Sequence, residues 1–123
     1  MIERRDDVIA HIRELRNANR EVRQALVKSD RVLSKAIRHL ESGSDIATTF
    51  EKTQSIGPRR EVDSAFDAYR RVRHQLRLVV MQRGIGEGMS IGALSREWGF
   101  SRQLGARYAR EARESSLTGP ASR

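Results

Sequence analysis

The sequence contains no cysteine, which excludes a disulfide framework, a thiolate nucleophile and any zinc site built on cysteine. Proline is scarce, with two residues in the chain, and the stretch from Glu3 to Glu41 has neither proline nor glycine. Aromatic residues make up 5% and hydrophobic residues 37%, too few for a multilayer core and better suited to long, half-exposed helices. The longest apolar run, Leu78 to Met81, is far too short to span a bilayer. The opening MIERRDD lacks the apolar stretch of a signal peptide. These absences predict a soluble, cytoplasmic chain that binds no membrane. At 123 residues it is one domain, or one small domain plus an extended helix.

Charge is abundant. Charged residues are 33% of the chain and the net charge is +8, with a pI near 11.1, so a polyanionic partner is expected. Almost all of the cations are arginine, whose planar fork suits phosphate and guanine better than lysine does. Residues 1–57 hold 11 Lys+Arg against 9 Asp+Glu, whereas residues 58–123 hold 13 against 7. The excess therefore lies in the C-terminal half.

That half carries the stretch around which the chain is organised, Ser90 to Arg113. Ser90 is a good N-cap, and Ile91, Leu94 and Trp98 fall on one helical face. Gly99 ends this helix where positive φ is needed. Phe100 reads as a buried hinge, and Ser101 caps a second helix whose inner face is Leu104, Tyr108 and Ala112. The opposite face bears Arg102, Gln103, Ala106, Arg107 and Arg110. Arginine and glutamine bond guanine and adenine edges bidentately, and further arginines suit phosphate.

The stretch resembles the helix-turn-helix of bacterial DNA-binding proteins. The match lies in Leu94-Ser95, then Trp98-Gly99-Phe100-Ser101-Arg102-Gln103, then Arg107-Tyr108. Ser95 stands where that family has a small residue four places before the turn glycine, and Phe100 takes the apolar place after it. The resemblance implies that the second helix enters the major groove of double-stranded DNA, with Ser101, Arg102, Gln103, Ala106 and Arg107 facing it. Gly105 departs from the pattern, occupying a place where the family usually has a branched apolar residue. Arg70, Arg71 and Arg77 are expected to extend the phosphate contact.

The first helix, from Glu3 to Glu41, shows a heptad. Val8, Ile12, Leu15, Asn19, Val22, Leu26, Ser29, Leu33, Ala36 and Leu40 follow one another at alternating spacings of four and three. This is a coiled-coil pattern. Ile12, Leu15, Asn19, Val22, Leu26, Leu33 and Leu40 are the predicted dimerisation residues, with Asn19 able to fix register. Ile9, Val32 and Ile37 widen the face, so packing against the rest of the chain is expected too. A break at Ser29-Asp30 would give a helical hairpin instead.

Ser42-Gly43-Ser44 stops this helix, Gly43 taking the C′ place. Ser44 caps a short helix through Ile46, Ala47 and Phe50, and Lys52 to Gly57 reads as a loop. A further helix starts at Pro58 and places Val62, Phe66, Tyr69, Val72 or Arg73, Leu76 and Val80 along one side, as core. Gly84 ends it. Gly84-Ile85-Gly86-Glu87-Gly88 lacks the strand and the GK[ST] ending of a phosphate loop, and reads as a flexible joint. The final SSLTGPASR reads as a disordered tail.

Catalytic chemistry finds no support. His11, His39 and His74 are far apart and none has a metal partner at i+3 or i+4. His11 and His39 fall at positions flanking the heptad, where exposure is expected. Carboxylates have arginines nearby at helical spacing, which predicts surface pairing. Trp98 reads as core rather than as a base-stacking platform. No catalytic residue, metal, cofactor or small-molecule ligand is predicted.

The expectation is an all-α protein with an N-terminal self-association region (1–57), a connecting helix with the helix-turn-helix (58–114) and a tail (115–123). Its predicted role is that of a small, homodimeric transcriptional regulator at the nucleoid. One alternative is a nucleoid-associated or phage/plasmid DNA-handling protein of low sequence preference. Another is a helical protein–protein adaptor.

Overall fold

The computed structural model describes residues 2–118, and side chains over 6–115. The described residues form helices without a strand: α1 Ile2–Glu41, α2 Ile46–Thr53, α3 Ile56–Gly86, α4 Ile91–Trp98 and α5 Arg102–Thr118. The protein is all-α, with a long N-terminal helix. Residues 115–118 of the predicted tail continue α5, and the remainder of that tail lies outside the described residues.

Glycines close three of the helices in one way. At the end of α1, Ser44 N–H donates to His39 O and Gly43 N–H to Leu40 O, with Gly43 at φ +96°. This is the Schellman arrangement, in which a left-handed residue lets the chain satisfy the last free carbonyls. After α3 the same pair of bonds runs from Met89 to Gly84 and from Gly88 to Ile85. The third example joins α4 to α5. Asp45, not Ser44, caps α2: its Oδ1 accepts from Thr48 N–H at 2.8 Å, a bond that holds its carboxyl below the usual range.

Two expectations about glycine and the helix ends are corrected. Helix α3 begins at Ile56 and runs through Gly84 to Gly86, so the expected joint is largely helix. Gly84 is buried inside it. A β-carbon there would lie 2.6 Å from Leu94 Cδ2, so the glycine is a point of close approach between α3 and α4. Helix α1 likewise passes unbroken through Ser29 and Asp30.

The chain divides into two compact units, one of Leu15–Arg71 and one of Met1–Glu14 with Val72–Arg123. The division crosses α1 and α3 rather than the expected boundary at residue 57.

In the Leu15–Arg71 unit, the inward line of α1 is Leu15, Ala18, Val22, Ala25, Ser29, Val32, Ala36 and His39, all buried or half-buried. Its spacing again alternates three and four. The heptad is real, but every second member is displaced by one residue from the expected set. Leu15 and Val22 face inward, whereas Asn19, Leu26, Leu33 and Leu40 are exposed, as is Ile12 near the start of the helix. Ala18 and Ala25 are 8% and 6% exposed. Small side chains let two helix backbones approach closely, so alanine takes the inside and leucine is left outside. Lys28 Nζ reaches Glu61 Oε2 at 3.2 Å, tying α1 to α3. His39 is half-buried rather than exposed, and so is His11 in the other unit, where its Nδ1 lies 2.8 Å from Asp7 O.

The other unit holds a buried hydrophobic cluster. Met81, Leu94, Tyr108, Ala109 and Ala112 are buried together, with Leu78, Val80, Ile91, Phe100 and Leu104 packed around them. Gln82 Nε2 donates to Ala112 O at 2.7 Å, and Arg83 bonds Asp7 of α1 at 3.1 Å. This core of α3, α4 and α5 is what holds α5 in place.

Candidate nucleic-acid interface

Helices α4 and α5 are joined by three residues, Gly99, Phe100 and Ser101. The geometry follows from those residues. Ser90 Oγ accepts from Ala93 N–H at 3.0 Å and starts α4. Gly99, at φ +78° and ψ +25°, ends it. Phe100 N–H then donates to Ser95 O at 2.8 Å and Gly99 N–H to Arg96 O at 3.2 Å. Ser101 Oγ accepts from Leu104 N–H at 3.1 Å and starts α5. Each free end of the turn is thus satisfied locally, which fixes the angle between the two helices. Replacing Ser90 with alanine is expected to lower stability by about 1 kcal/mol, read as a shifted urea midpoint at unchanged slope.

Where the helices cross, Ser95 and Gly105 meet. A β-carbon on Gly105 would lie 1.8 Å from Ser95 Oγ and 3.0 Å from Ser95 Cβ. Both residues are buried, and the Ser95 hydroxyl donates to Ile91 O at 2.7 Å. The residue that departs from the helix-turn-helix pattern is therefore accounted for sterically. The hydroxyl on α4 occupies the space that a side chain at position 105 would need.

An aromatic cluster seats the turn. Phe100 meets Tyr108 edge-on at 5.0 Å and stacks on Trp98 at 5.9 Å. Trp98 is half-buried, less enclosed than its helical spacing implies.

On α5 the inward side is Tyr108, Ala109 and Ala112, with Leu104 half-buried. Ser101, Arg102, Gln103, Arg107 and Arg110 are exposed and Ala106 is half-exposed. The structure thus brings the six predicted positions of this stretch to the outer side of one helix and its cap. Among the described residues, no carboxylate pairs with Arg102, Arg107 or Arg110. Glu111, one turn beyond Arg107 on α5, is instead bonded to His74 of α3 at 2.6 Å. That bond draws the acid at i+4 from Arg107 toward α3 and away from the exposed side of α5. Expected surface pairing at helical spacing holds for Asp67–Arg70, at 3.1 Å, and fails here.

Arg102 and Arg96 form a second feature that sequence alone did not reveal. A β-carbon on Gly92 would lie 3.6 Å from Arg96 Nη1 and 3.9 Å from Arg102 Nη2. Two guanidiniums therefore reach over the first turn of α4, where helix N–H groups already favour an anion.

The three outlying arginines behave differently. Arg77 is half-buried, with its guanidinium 5.5 Å from the centres of both Phe100 and Tyr108. Its Nη1 donates to the Tyr108 hydroxyl at 3.3 Å. It serves the core and is not part of an open phosphate-binding face. Arg70 and Arg71 are exposed but belong to the Leu15–Arg71 unit, where Arg70 also lies over the Phe66 ring at 5.8 Å.

Among the described residues no group of three His, Cys, Asp or Glu converges to hold a metal ion, and no helix is long and apolar enough to cross a membrane. Comparison with family models, curated proteins and solved structures returns no match to this chain.

Proposed function

We propose that this chain is a double-stranded-DNA-binding protein that inserts α5 into the major groove, as a small dimeric transcriptional regulator. One observation carries the reading. The exposed side of α5 bears Arg102, Gln103, Arg107 and Arg110 without acidic partners among the described residues, while its other side is anchored in the buried core of Met81, Leu94, Tyr108, Ala109 and Ala112. A reading helix needs both properties, because base-edge hydrogen bonds discriminate only when their donors are rigidly placed. The short Gly99 turn between α4 and α5 supports reading the pair as a helix-turn-helix. The chain's net charge of +8 supplies long-range attraction to the polyanion.

In this reading Gln103, Ala106 and Arg107 meet base edges. Arg96 and Arg102 hold a backbone phosphate at the start of α4, and Arg110 holds another further along α5. Contacts to phosphate set register and contacts to bases set sequence.

The test is binding to random-sequence duplex across a salt series, followed by enrichment of bound fragments from a genomic pool. The expected result is affinity that falls steeply with salt, by about 0.9 decade per decade of salt for each phosphate neutralised. Enrichment of a short palindromic site about a thousandfold or more above bulk DNA identifies a regulator. Salt-sensitive binding without enrichment would favour an architectural or phage/plasmid DNA-handling protein. Absence of binding at low salt would overturn the DNA reading and favour a protein adaptor.

A further inference from the structure

Among the described residues, a cluster of exposed large hydrophobic side chains lies far in sequence from α5, on α1 and α2 of the Leu15–Arg71 unit. Leu26, Leu33, Ile37 and Leu40 of α1 are 40%, 57%, 55% and 45% exposed, and Ile46 and Phe50 of α2 are each 60% exposed. Leu26, Leu33 and Leu40 repeat every seven residues, so they lie along one line of the helix. Leu33, Leu40, Ile46 and Phe50 also border a common groove of about 290 Å³, floored by Val32, Ala36 and Thr49 and edged by Pro58 and Arg59. The line and the groove are therefore one surface. Together the six side chains leave on the order of 600 Å² of apolar area open, the upper edge of what a monomer presents in one patch.

Intrachain packing already uses the adjoining alanine-rich line of α1 through Ala18 and Ala25. The leucine line flanks it, shares Val32 and Ala36 at the floor of the groove, and is left open by its own chain.

We infer that a second copy of this chain covers the outer face, so that α1 pairs with α1 and Phe50 of each copy packs at the edge of the joint. The dimensions select this occupant. From Leu26 to Leu40 the line is roughly 21 Å long at 1.5 Å per residue. A small molecule in the groove would cover only one end of it. A seven-residue repeat of leucines is matched by a helix with the same repeat, and the chain carries one. The open area approaches the ~800 Å² that each partner contributes to a standard interface. Asp30, Arg31, Lys35, Arg38 and Glu41 near the line carry both signs, so no field of one sign separates two copies.

This inference deepens the dimeric part of the proposed function and is independent of DNA. It also separates the tasks of α1: Leu15 and Val22 hold the fold, whereas Leu26, Leu33 and Leu40 hold the partner.

The test is the molar mass of the full chain in solution without DNA, at tens of micromolar, above the micromolar end of affinities that such interfaces reach. The expected mass is twice 14.0 kDa. Leu33→Glu and Phe50→Glu should each return it to 14.0 kDa, while Ile85→Glu, at a position 43% exposed in the other unit, should leave the dimer intact. A wild-type mass of one chain would overturn the inference, as would dimers that survive both charged substitutions. Should either glutamate variant lose helicity by far-UV circular dichroism, a nitroxide on Leu33→Cys takes its place, because the chain has no other cysteine. A dipolar distance between labels that disappears on dilution with unlabelled protein would support the pairing; no dipolar coupling would overturn it. DNA binding by Leu33→Glu at low salt keeps the two readings apart. A monomeric variant that still binds duplex leaves the DNA reading intact, and a dimer that binds none leaves the pairing intact.

Discussion

Gly105→Ala is expected to destabilise the protein by up to about 2 kcal/mol net, although alanine inside a helix is ordinarily better than glycine by about 1 kcal/mol. The reversal comes from Ser95. The new β-carbon would sit 1.8 Å from Ser95 Oγ, so the hydroxyl must swing away or α4 and α5 must separate. Swinging breaks the 2.7 Å bond to Ile91 O and strands a hydroxyl that is 2% exposed, at a cost of about 1–3 kcal/mol. Separation opens the core beneath, where Met81 is fully enclosed. Gly105→Val adds two further carbons to a space that cannot hold one, and is expected to cost several kcal/mol, roughly 3 or more.

A double-mutant cycle distinguishes this steric account from a general intolerance of change in α5. Ser95→Ala should cost about 1 kcal/mol for its lost hydrogen bond. Combined with Gly105→Ala it should recover at least about 1 kcal/mol of the summed losses, since the hydroxyl is then absent. Recovery will be incomplete, because the two β-carbons would still be 3.0 Å apart. Urea unfolding of the four proteins gives the coupling directly. Additive losses, or a Gly105→Ala protein more stable than the wild type, would show that the crossing is not the constraint described.

The same pair of residues shows how far the sequence is legible. Ser90, Gly99 and Ser101 could be placed because capping chemistry is local: a hydroxyl reaches an N–H three residues on, and positive φ favours glycine. The inner side of α5 was also readable, since Tyr108 and Ala112 obey helical spacing. Gly84 and Gly105 were not, because a glycine needed for close approach looks identical in sequence to one needed for a turn. Only the atoms of Leu94 and Ser95, brought near by folding, tell them apart. The inward face of α1 was misplaced for a related reason. Hydrophobic periodicity weights leucine above alanine, whereas close helix packing rewards the smaller side chain, so Ala18 and Ala25 went inside. Arg77 misled in the opposite way. Its charge suggested solvent and phosphate, but its guanidinium lies against Phe100 and Tyr108, a contact available only after α3 and α5 meet. The pairing of Glu111 with His74, which leaves Arg107 without its i+4 acid, spans 37 positions and leaves no local signature.

Arg107→Ala and Arg102→Ala should both weaken DNA binding, yet in distinguishable ways. Arg107 stands one helical turn from Gln103 on the exposed side of α5, which in the proposed docking is the side turned to the base edges. Its loss should relax preference at one base position by about 1–3 kcal/mol, roughly 5- to 150-fold, with a smaller effect on random duplex. Gln103→Ala should relax a neighbouring position, with adenine the base favoured by the wild type. Arg102 leans instead toward Gly92, beside Arg96. Arg102→Ala and Arg96→Ala should therefore weaken binding to every sequence alike and make the log–log salt slope shallower by about 1 each. Arg77→Ala should act on stability before affinity, because it removes a contact of the core. Binding isotherms on specific, single-mismatch and random duplexes at three salt concentrations separate these outcomes. Removing Arg102 and Arg107 together should abolish detectable binding near physiological salt while the molar mass stays that of the wild type. Unchanged affinity in that double variant would exclude α5 from the groove, however basic the surface of the chain.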